Sequence, residues 1–491
     1  MPDYVVIHPA DNVMVSLVQV TPGMVLNGLV IRESVPKGHK IALRDIAAGE
    51  AIIKYGASIG RAESPIAAGS HVHVHNVKTT LGGVESYEYH PAFAPRPAVP
   101  PSRTVRLYPR STGEFGVRNE LWIIPTVGCI NTEAQKLAAA FAASHPETDN
   151  YDGIYVFGHP YGCSQMGDDL LNTRATLQNI ALNPNAGGIL VLGLGCENNQ
   201  VSAFRDSFAY DPVRFRFLAM QDVKDERAAV AKLLGELHQN LLHDRRVETS
   251  IAKLRIGLKC GGSDGLSGIT ANPLIGRFAD WLTAHGGTGV LTEVPEMFGA
   301  ETILMARAAS KDVFDKAVAM IDGFKEYYLS HGQVVYDNPS PGNKAGGITT
   351  LEDKSLGCTQ KGGTGMVTDV LGRDERIRVA GLNLKTAPGN DLVSVTALGS
   401  AGCQIVLFST GRGTPFGGFV PTVKLSTNTE LYEKKPNWID FDAGSLVTGA
   451  AWDETLEQLI GLVVAVADGK KTNNEKNDYR EIAIFKDGVT L

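Results

Sequence analysis

The chain lacks the features of membrane, secreted and nucleic-acid-binding proteins. Its longest apolar run, Leu459 to Ala467, is far shorter than the roughly 20 residues that a membrane-spanning helix needs. The N-terminus shows no basic start followed by an apolar stretch, so we expect no secretory signal. The net charge is −7 and no basic block stands out, which argues against nucleic acid as a partner. These absences favour a cytoplasmic protein that binds neither membrane nor nucleic acid.

Cysteine is scarce as well, and the common nucleotide-binding motifs are missing. Six cysteines in 491 residues form no CxxC pair, which is typical of a protein from a reducing compartment. No GxxxxGKS or GxxxxGKT motif occurs, and GLGCEN at 193–198 lacks the third glycine of a dinucleotide-binding turn. In TGRGTPFGG at 410–418, the glycines lead into a second strand-like segment instead of a helix. A nucleotide cofactor is therefore not expected.

The pattern of apolar runs and turns changes along the chain, and this change predicts three domains. Residues 1–88 alternate short apolar runs with turns and show no helical period, as in a small β domain. Residues 89–104 carry five prolines and form a stiff linker. Strands, glycine turns and helices then alternate, which predicts mainly parallel sheets covered by helices. We place the first α/β domain at 105–248 and the second at 249–491.

The segment GSHVHVHN contains three histidines separated by single valines: His71, His73 and His75. If this segment is a strand, alternate side chains share one face, so the three imidazoles point the same way. Imidazole nitrogens suit divalent iron, manganese or zinc. The segment therefore predicts a metal site, and the alternative is a polar strand edge that happens to be rich in histidine.

Cysteines follow several of the apolar runs that we expect to be buried strands. Gly-Cys pairs end three such runs, at Cys129, Cys163 and Cys196, and Cys260 ends a fourth. Ligands of open α/β sheets bind outside the carboxyl ends of the strands. These thiols therefore predict ligands of an iron–sulfur cluster or of a single metal ion, or they are small buried apolar residues. Because no CxxC pair exists, the cluster is the less favoured alternative.

Three glycine-rich turns are dense in hydroxyl and cationic side chains, and they lie at 260–273, 338–347 and 409–419. Main-chain amides that glycine leaves unshielded, together with Lys344 and Arg412, suit an anionic ligand such as a carboxylate. A tight connection without a ligand is the alternative for any one of these turns. The three together favour a binding site.

These motifs resemble the altronate/galactarate dehydratase family of sugar-acid hydro-lyases, and the resemblance covers essentially the whole chain. It is carried by HPYGCSQMGDD, LGLGCENNQ, CGGSDGLSGITANP, NPSPGNKAGGITTLEDKSLGCTQKGG and STGRGTPFGG, and residues 1–88 look like a SAF-type β domain. HVHVHN and Cys358 look like the altronate branch. The resemblance implies an iron- or manganese-dependent homodimer that dehydrates D-altronate to 2-dehydro-3-deoxy-D-gluconate in hexuronate catabolism. The alternatives are a dehydratase for another sugar acid, such as galactarate, a sulfolactate-type lyase, or a non-catalytic sensor.

Such a dehydration needs a base, an acid or metal for the leaving hydroxyl, and positive charge near the substrate carboxylate. For the base we favour His159, at a strand end, over Lys344. For the carboxylate we favour Arg412, whose planar fork matches it. The acid or a supporting role falls to Asp264 or Glu197, and further contacts to the substrate come from Ser263 and Asn343.

Overall fold

The computed structural model describes residues 3–93, 99–100 and 103–488. Three prolines of the expected linker, Pro95, Pro97 and Pro101, lie outside the described residues. Two described residues of the expected linker contact the C-terminal part of the protein: the amide of Ala92 donates to the carbonyl of Ala306, and the amide of Val99 donates to the carbonyl of Ala284. The domain boundaries drawn from the sequence stay predictions.

The N-terminal part is built from short antiparallel strands, as the lack of helical periodicity predicted. The strands form a sheet in the order β1-β2-β5-β8, a second sheet in the order β6-β7-β9 and the hairpin β3-β4. Their bounds are β1 (Tyr4–Val5), β2 (Val13–Ser16), β3 (Val25–Leu26), β4 (Leu29–Val30), β5 (Lys40–Ala42), β6 (Ala51–Lys54), β7 (Ala57–Ala62), β8 (His71–Val72) and β9 (Val77–Lys78).

The next part is an α/β unit around a four-stranded parallel sheet. Its elements are β10 (Thr104–Pro109), β11 (Phe115–Gly116), β12 (Glu120–Pro125), α1 (Asn131–Ser144), β13 (Ile154–Val156), α2 (Asp168–Ala181), β14 (Ala186–Gly193), α3 (Val201–Asp206), β15 (Phe215–Ala219), α4 (Glu226–Leu241) and β16 (Val247–Ser250). The parallel order is β13-β12-β14-β15. A small antiparallel sheet, β11-β10-β16, pairs the beginning of the unit with its end.

The C-terminal part is a second α/β unit around seven parallel strands. Its strands are β17 (Arg255–Cys260), β18 (Thr288–Leu291), β19 (Val367–Leu371), β20 (Gly381–Lys385), β21 (Ile405–Thr410), β22 (Thr422–Ser426) and β23 (Phe441–Asp442). Its helices are α5 (Ala271–Ala284), α6 (Glu301–Met305), α7 (Lys311–Ser330), α8 (Pro341–Ala345), α9 (Leu351–Cys358), α10 (Asp391–Ser400), α11 (Thr429–Lys434), α12 (Trp452–Ala467) and α13 (Asn473–Lys476).

The strand order of this large sheet locates a crevice. The order is β19-β20-β18-β17-β21-β22-β23, so the chain leaves β17 toward β18 on one side and later returns to β21 on the other. Ligands of open parallel sheets bind at such a reversal, outside the carboxyl ends of the strands. Here the turn after β17 and the turn after β21 face each other, and both are glycine-rich turns that the sequence singled out.

Two interfaces join the parts of the chain. The two α/β units share an apolar core in which Trp122 and Phe157 pack edge-on against Phe419, with ring centroids 5.6 and 5.5 Å apart. The N-terminal β domain docks on α9, where Asp353 forms buried salt bridges of 2.8 Å to Lys40 and 2.9 Å to Lys54. Within the part of the chain that the structure describes, no helix has the length and apolarity to cross a membrane.

Candidate active site

A cavity of about 450 Å³ lies at the reversal between β17 and β21, and two domains line it. The large unit contributes Asp264, Gly411 and Arg412, and the N-terminal domain contributes Lys37 and Gly38. The cations of the lining are Lys37, Arg412, Lys434 and Lys435, and its acids are Asp264 and Glu430. The excess of positive charge suits a ligand that carries a carboxylate. The site therefore forms only when the β domain sits on the large sheet.

Arg412 lies exposed at the rim of this cavity, at the end of β21 as expected. The amides of Gly411 and Arg412 both donate to the carbonyl of Gly262, at 3.1 Å each, which ties the turn after β21 to the turn after β17. The Nη1 of Arg412 lies 3.4 Å from the carbonyl oxygen of Gly342 in α8. The turns fix the backbone of Arg412, while its guanidinium keeps donors for a ligand.

Helix α8 connects Arg412 with the N-terminal domain. Ser340 caps its N-terminus and forms a capping box with Asn343. The side-chain amide of Asn343 donates to the Ser263 carbonyl at 2.8 Å. At its end, the carbonyl of Ala345 accepts from Nε2 of His39 at 3.3 Å. Gly342 and Ala345 are three residues apart, about 4.5 Å along a helix axis. The main chain of half-buried Lys344 thus lies between the carbonyl that faces Arg412 and the carbonyl that faces His39.

The approach of the N-terminal domain is close enough to require glycine. A side chain at Gly265 would place its Cβ 2.0 Å from the carbonyl oxygen of Gly38. The amide of Gly265 also donates to the Gly346 carbonyl at 2.7 Å, so three glycine-bearing turns meet at this point. The glycine content of CGGSDGLSG therefore serves backbone contact between domains as well as exposure of amides.

Three histidines converge beside α8: His39, His71 and His73. Each offers a ring nitrogen, and these nitrogens all lie within 4.8 Å of one another; Nδ1 of His39 is 3.0 Å from Nε2 of His71. Burial, followed by the neighbouring histidines, lowers the pKa of His71 to about 3. Burial and the ammonium of Lys40 lower the pKa of His73 to about 3. Burial also lowers the pKa of His39, so all three imidazoles are neutral near pH 7, the form that binds metal.

Two of the three remaining ring nitrogens of this cluster are held by protein groups. Nδ1 of His73 pairs with the Thr349 hydroxyl at 3.0 Å, and the Nε2–H of His39 donates to Ala345. This leaves Nε2 of His73 and Nδ1 of His39 for a metal ion, with Nε2 of His71 as the third donor. Ligating histidines usually bond through their second nitrogen in this way. The donor set fits a divalent transition-metal ion.

The strand expected to carry all three histidines of GSHVHVHN is shorter than the sequence predicted. β8 ends at Val72, because the Asn76 side chain accepts from the amide of His73 at 3.0 Å and closes a turn. His75 is exposed in this turn, and its ring centroid lies 5.3 Å from that of His71. The prediction of a strand through His75 is wrong, and His39, which the sequence reasoning missed, takes its place in the cluster.

A second cluster lies inside the large unit and contains two thiols. Cys260 ends β17, Cys358 ends α9, and their sulfurs are 3.3 Å apart. Oε2 of Glu296 lies 3.5 Å from the first sulfur and 3.1 Å from the second. All three side chains are buried. The sequence reasoning named Cys260 as a thiol ligand but did not foresee Cys358 or Glu296 beside it.

Asp264 is tied into the turns of the cavity. Its carboxylate accepts hydrogen bonds from the hydroxyls of Thr427 and Ser267 and from the side-chain amide of Asn428. Burial raises the pKa of Asp264 above its ordinary value, against the effect of these donors. A carboxyl with a raised pKa in a ligand cavity is suited to proton transfer, although the same bonds also brace the turns.

His159 and Glu197 lie at the carboxyl edge of the other sheet, in the first α/β unit. Nε2 of His159 donates to the Pro125 carbonyl at 2.8 Å, and Nδ1 accepts from the amide of Tyr161 at 3.1 Å. Burial lowers the pKa of His159. Glu197 accepts from the Thr126 hydroxyl at 2.6 Å and from the amide of Gly195 at 2.6 Å. Both side chains brace turns, so this geometry lends no support to a base at His159.

Three exposed thiols share that edge with them. Cys129, Cys163 and Cys196 follow β12, β13 and β14, which are neighbours in the sheet. Their loops interlock, since the amide of Gly128 donates to Tyr161 and that of Asn199 donates to Gly162. Among the described residues, the groups of three or more such donor atoms within 4.8 Å of one another are the histidine cluster and the Cys260 cluster. Ligation by these three thiols stays a prediction.

Family models match three consecutive parts of the chain. Residues 2–80 match the altronate/galactarate dehydratase SAF domain, residues 107–242 the D-galactarate dehydratase/altronate hydrolase second domain, and residues 251–490 the D-galactarate/altronate dehydratase C-terminal domain. With the relatives below, these matches show that the chain belongs to the altronate/galactarate dehydratase family. The expected fold class, a SAF β domain followed by parallel α/β sheets, is confirmed.

Several relatives match over nearly their full length. An altronate dehydratase of Escherichia coli (strain K12) is 54% identical over 99% of this chain and 100% of its own. An altronate dehydratase of Bacillus subtilis (strain 168) is 52% identical over 100% of both chains. The galactarate dehydratase (L-threo-forming) of Escherichia coli (strain K12) is 32% identical over 98% of this chain and 96% of its own.

Proposed function

We propose that the protein is a hydro-lyase that removes water from D-altronate to give 2-dehydro-3-deoxy-D-gluconate. The observation that carries the proposal is the identity of 54% and 52% to two altronate dehydratases over essentially the whole chain. The cavity between the β domain and the large sheet supports it, because Arg412 and Asp264 line it. The histidine cluster lies next to this lining, since His39 bonds to the carbonyl of Ala345, the neighbour of Gly346. The hexuronate pathway and a homodimeric assembly belong to the same proposal.

The metal of this proposal is Fe²⁺, with Mn²⁺ as the alternative, held by His39, His71 and His73. A divalent ion there would stabilise negative charge that develops on the substrate oxygens. The protein's own residues prepare the site: burial keeps the imidazoles neutral, while Thr349 and Ala345 fix two of the rings. An iron–sulfur cluster at Cys129, Cys163 and Cys196 is the less favoured alternative.

We assign the substrate carboxylate to Arg412. Its guanidinium lies at the rim of the cavity, one turn of α8 away from the histidines. Charge builds on the carboxylate oxygens as the neighbouring C–H proton leaves, so a fixed bidentate donor stabilises the transition state more than the ground state. We assign further contacts with the substrate to Asn343 and Ser263, whose mutual hydrogen bond joins α8 to the turn after β17.

For proton removal we favour Lys344 over His159. Lys344 lies in α8 between the Arg412 contact at Gly342 and the His39 contact at Ala345, whereas both ring nitrogens of His159 bond to main-chain groups of another sheet. Asp264, with its raised pKa, is the candidate to protonate the departing hydroxyl. Glu197 and His159 have the supporting role of holding their turns.

The alternatives use related substrates. The β subunit of (2R)-sulfolactate sulfo-lyase from Chromohalobacter salexigens is 31% identical over 78% of this chain and 97% of its own. Galactarate and sulfolactate therefore belong in any substrate test. The decisive experiment measures 2-keto-3-deoxy acid formation from a panel of hexonates and hexarates, and sulfite release from sulfolactate, each with and without ferrous iron. Turnover of altronate well above the others is expected; turnover of another member alone would overturn the assignment.

A further inference from the structure

The buried cluster of Cys260, Glu296 and Cys358 has the geometry of a metal site rather than of core packing. The three donor atoms form a triangle with sides of 3.3, 3.5 and 3.1 Å. In a tetrahedral site, sulfur ligands lie about 2.3 Å and oxygen ligands about 2.0 Å from the metal, so neighbouring donors are about 3.5 to 3.8 Å apart. The donors would have to move outward by only a few tenths of an ångström.

The charges around the cluster favour deprotonated ligands. The ammonium of Lys361 lies 2.8 Å from the Cys260 sulfur, and Lys354 forms a 2.8 Å salt bridge with Oε1 of Glu296. The second carboxylate oxygen, Oε2, is left facing the two sulfurs. Metal ligands must lose their protons, and outer cations or donors of this kind stabilise the ligands in that form.

Cys403, another buried thiol, lies in a different setting. It belongs to the apolar core shared by the two α/β units, as do Val406 and Leu398. Cys260 and Cys358 instead face each other and Oε2 of Glu296. Cys403 is therefore a matched control for a variant of either thiol in the cluster.

We propose that Cys260, Cys358 and Glu296 bind a second divalent metal ion of the zinc or ferrous type, in addition to the ion at the histidines. The two sites lie at opposite ends of α9: Thr350, which caps its beginning, follows the Thr349 that bonds His73, and Cys358 ends it. Eight residues of helix separate Thr350 from Cys358, about 12 Å. The ion would tie β17, α9 and the segment around Glu296 together beneath the cavity.

Cobalt(II) is the probe that separates the two sites without reference to activity. Thiolate-bound cobalt has an intense charge-transfer band in the near ultraviolet, which cobalt bound by histidine alone does not have. The wild-type chain, stripped of metal and titrated with cobalt, is expected to bind two ions and to show the band. The His39→Ala variant should bind one ion and keep the band. The Cys358→Ser variant should bind one ion and lose the band, and the Cys403→Ser control should behave as the wild type.

Several results would overturn the proposal. These are a single cobalt per wild-type chain without the band, a band that survives in Cys358→Ser, or a Cys260–Cys358 disulfide in protein kept under reducing conditions. If Cys358→Ser does not fold, zinc-edge X-ray absorption of the wild-type protein decides instead. It should show sulfur scatterers about 2.3 Å from the metal, and a spectrum with light scatterers alone counts against the site. None of these measurements uses altronate turnover. Their outcome therefore tests the second metal site independently of the proposed function.

Discussion

Nδ1 of His39 lies 3.0 Å from Nε2 of His71, although 32 residues separate the two histidines in the chain. The antiparallel pairing of β5 with β8 brings them together, since Lys40 pairs with Val72 and Ile41 with His71. His73 completes the cluster and is held by Thr349 of the large unit. The candidate metal site is therefore a property of a strand pair and a domain contact, not of one histidine-rich segment.

The first prediction concerns which histidines bind the metal ion. His39→Ala should remove one equivalent of bound iron per chain and most of the activity, because a ligand is lost. His75→Ala should keep both, since His75 is exposed in the turn after β8. Metal analysis of the two purified variants, alongside altronate turnover, measures this. Loss of iron in His75→Ala with retention in His39→Ala would reverse the assignment.

Replacing Arg412 by lysine tests the carboxylate anchor. The charge remains but the planar fork is lost, so kcat/KM should fall. The fall should correspond to a loss of roughly 2–4 kcal/mol of transition-state stabilisation, the scale of one preorganised donor. Arg378→Lys is the matched control, because Arg378 is also an exposed arginine but pairs with Glu375. Steady-state kinetics on both variants, with melting temperatures to confirm folding, give the comparison. Normal kinetics in a stable Arg412→Lys protein would exclude a role in substrate binding.

The docking of the β domain depends on Asp353. Asp353→Asn leaves the ammonium groups of Lys40 and Lys54 buried without their partner carboxylate. Breaking a buried ion pair from one side costs about 3–5 kcal/mol. The variant should melt earlier and bind less metal at the histidines, because Thr349, whose amide donates to Asp353 at 3.0 Å, holds His73. Asp315→Asn, in an exposed salt bridge with Lys311, should change neither quantity.

The pH dependence of stability tests the role of His159. Burial lowers the pKa of His159 in the folded state below its ordinary value of 6.5. Below pH 6.5, the unfolded chain therefore binds a proton at His159 more readily than the folded chain does. The stability contributed by neutral His159 is thus complete above pH 6.5 and is lost as the pH falls below it, by at most about 1.4 kcal/mol per pH unit. His159→Gln should show a shallower decline of the unfolding midpoint between pH 7 and 5 than the wild type.

The other histidines are present in both proteins, so the difference between the two pH profiles isolates His159. His90→Gln serves as the control, since His90 is exposed and pairs with Glu88 at the surface. An identical pH profile in His159→Gln and wild type would mean that His159 does not stabilise the fold in its neutral form. A large loss of turnover at unchanged stability would instead restore it as a candidate base.

Local pattern alone determined much of the architecture. Apolar runs that end at Pro125, Gly193 and Cys260 were recognisable as strands, because a strand buried on both faces of a parallel sheet has no polar alternation. The glycine turns after β17 and β21 were recognisable because main-chain contact there excludes side chains. The position of Arg412 at a strand end followed from the same argument. The substrate came from the resemblance to a family, not from any residue pattern.

Only the tertiary structure decided which side chains meet. No local signal in the sequence connects His39 with His71, because the pairing of two strands brings them together. Likewise, none connects Glu296 with Cys260 and Cys358, which are 36 and 62 residues away along the chain. The period-2 argument failed at His75, since the Asn76 side chain offered the backbone a turn in place of the strand. His159 looked like a base from its place at a strand end. The folded chain gives both of its nitrogens to main-chain partners, because a buried imidazole must satisfy its hydrogen bonds.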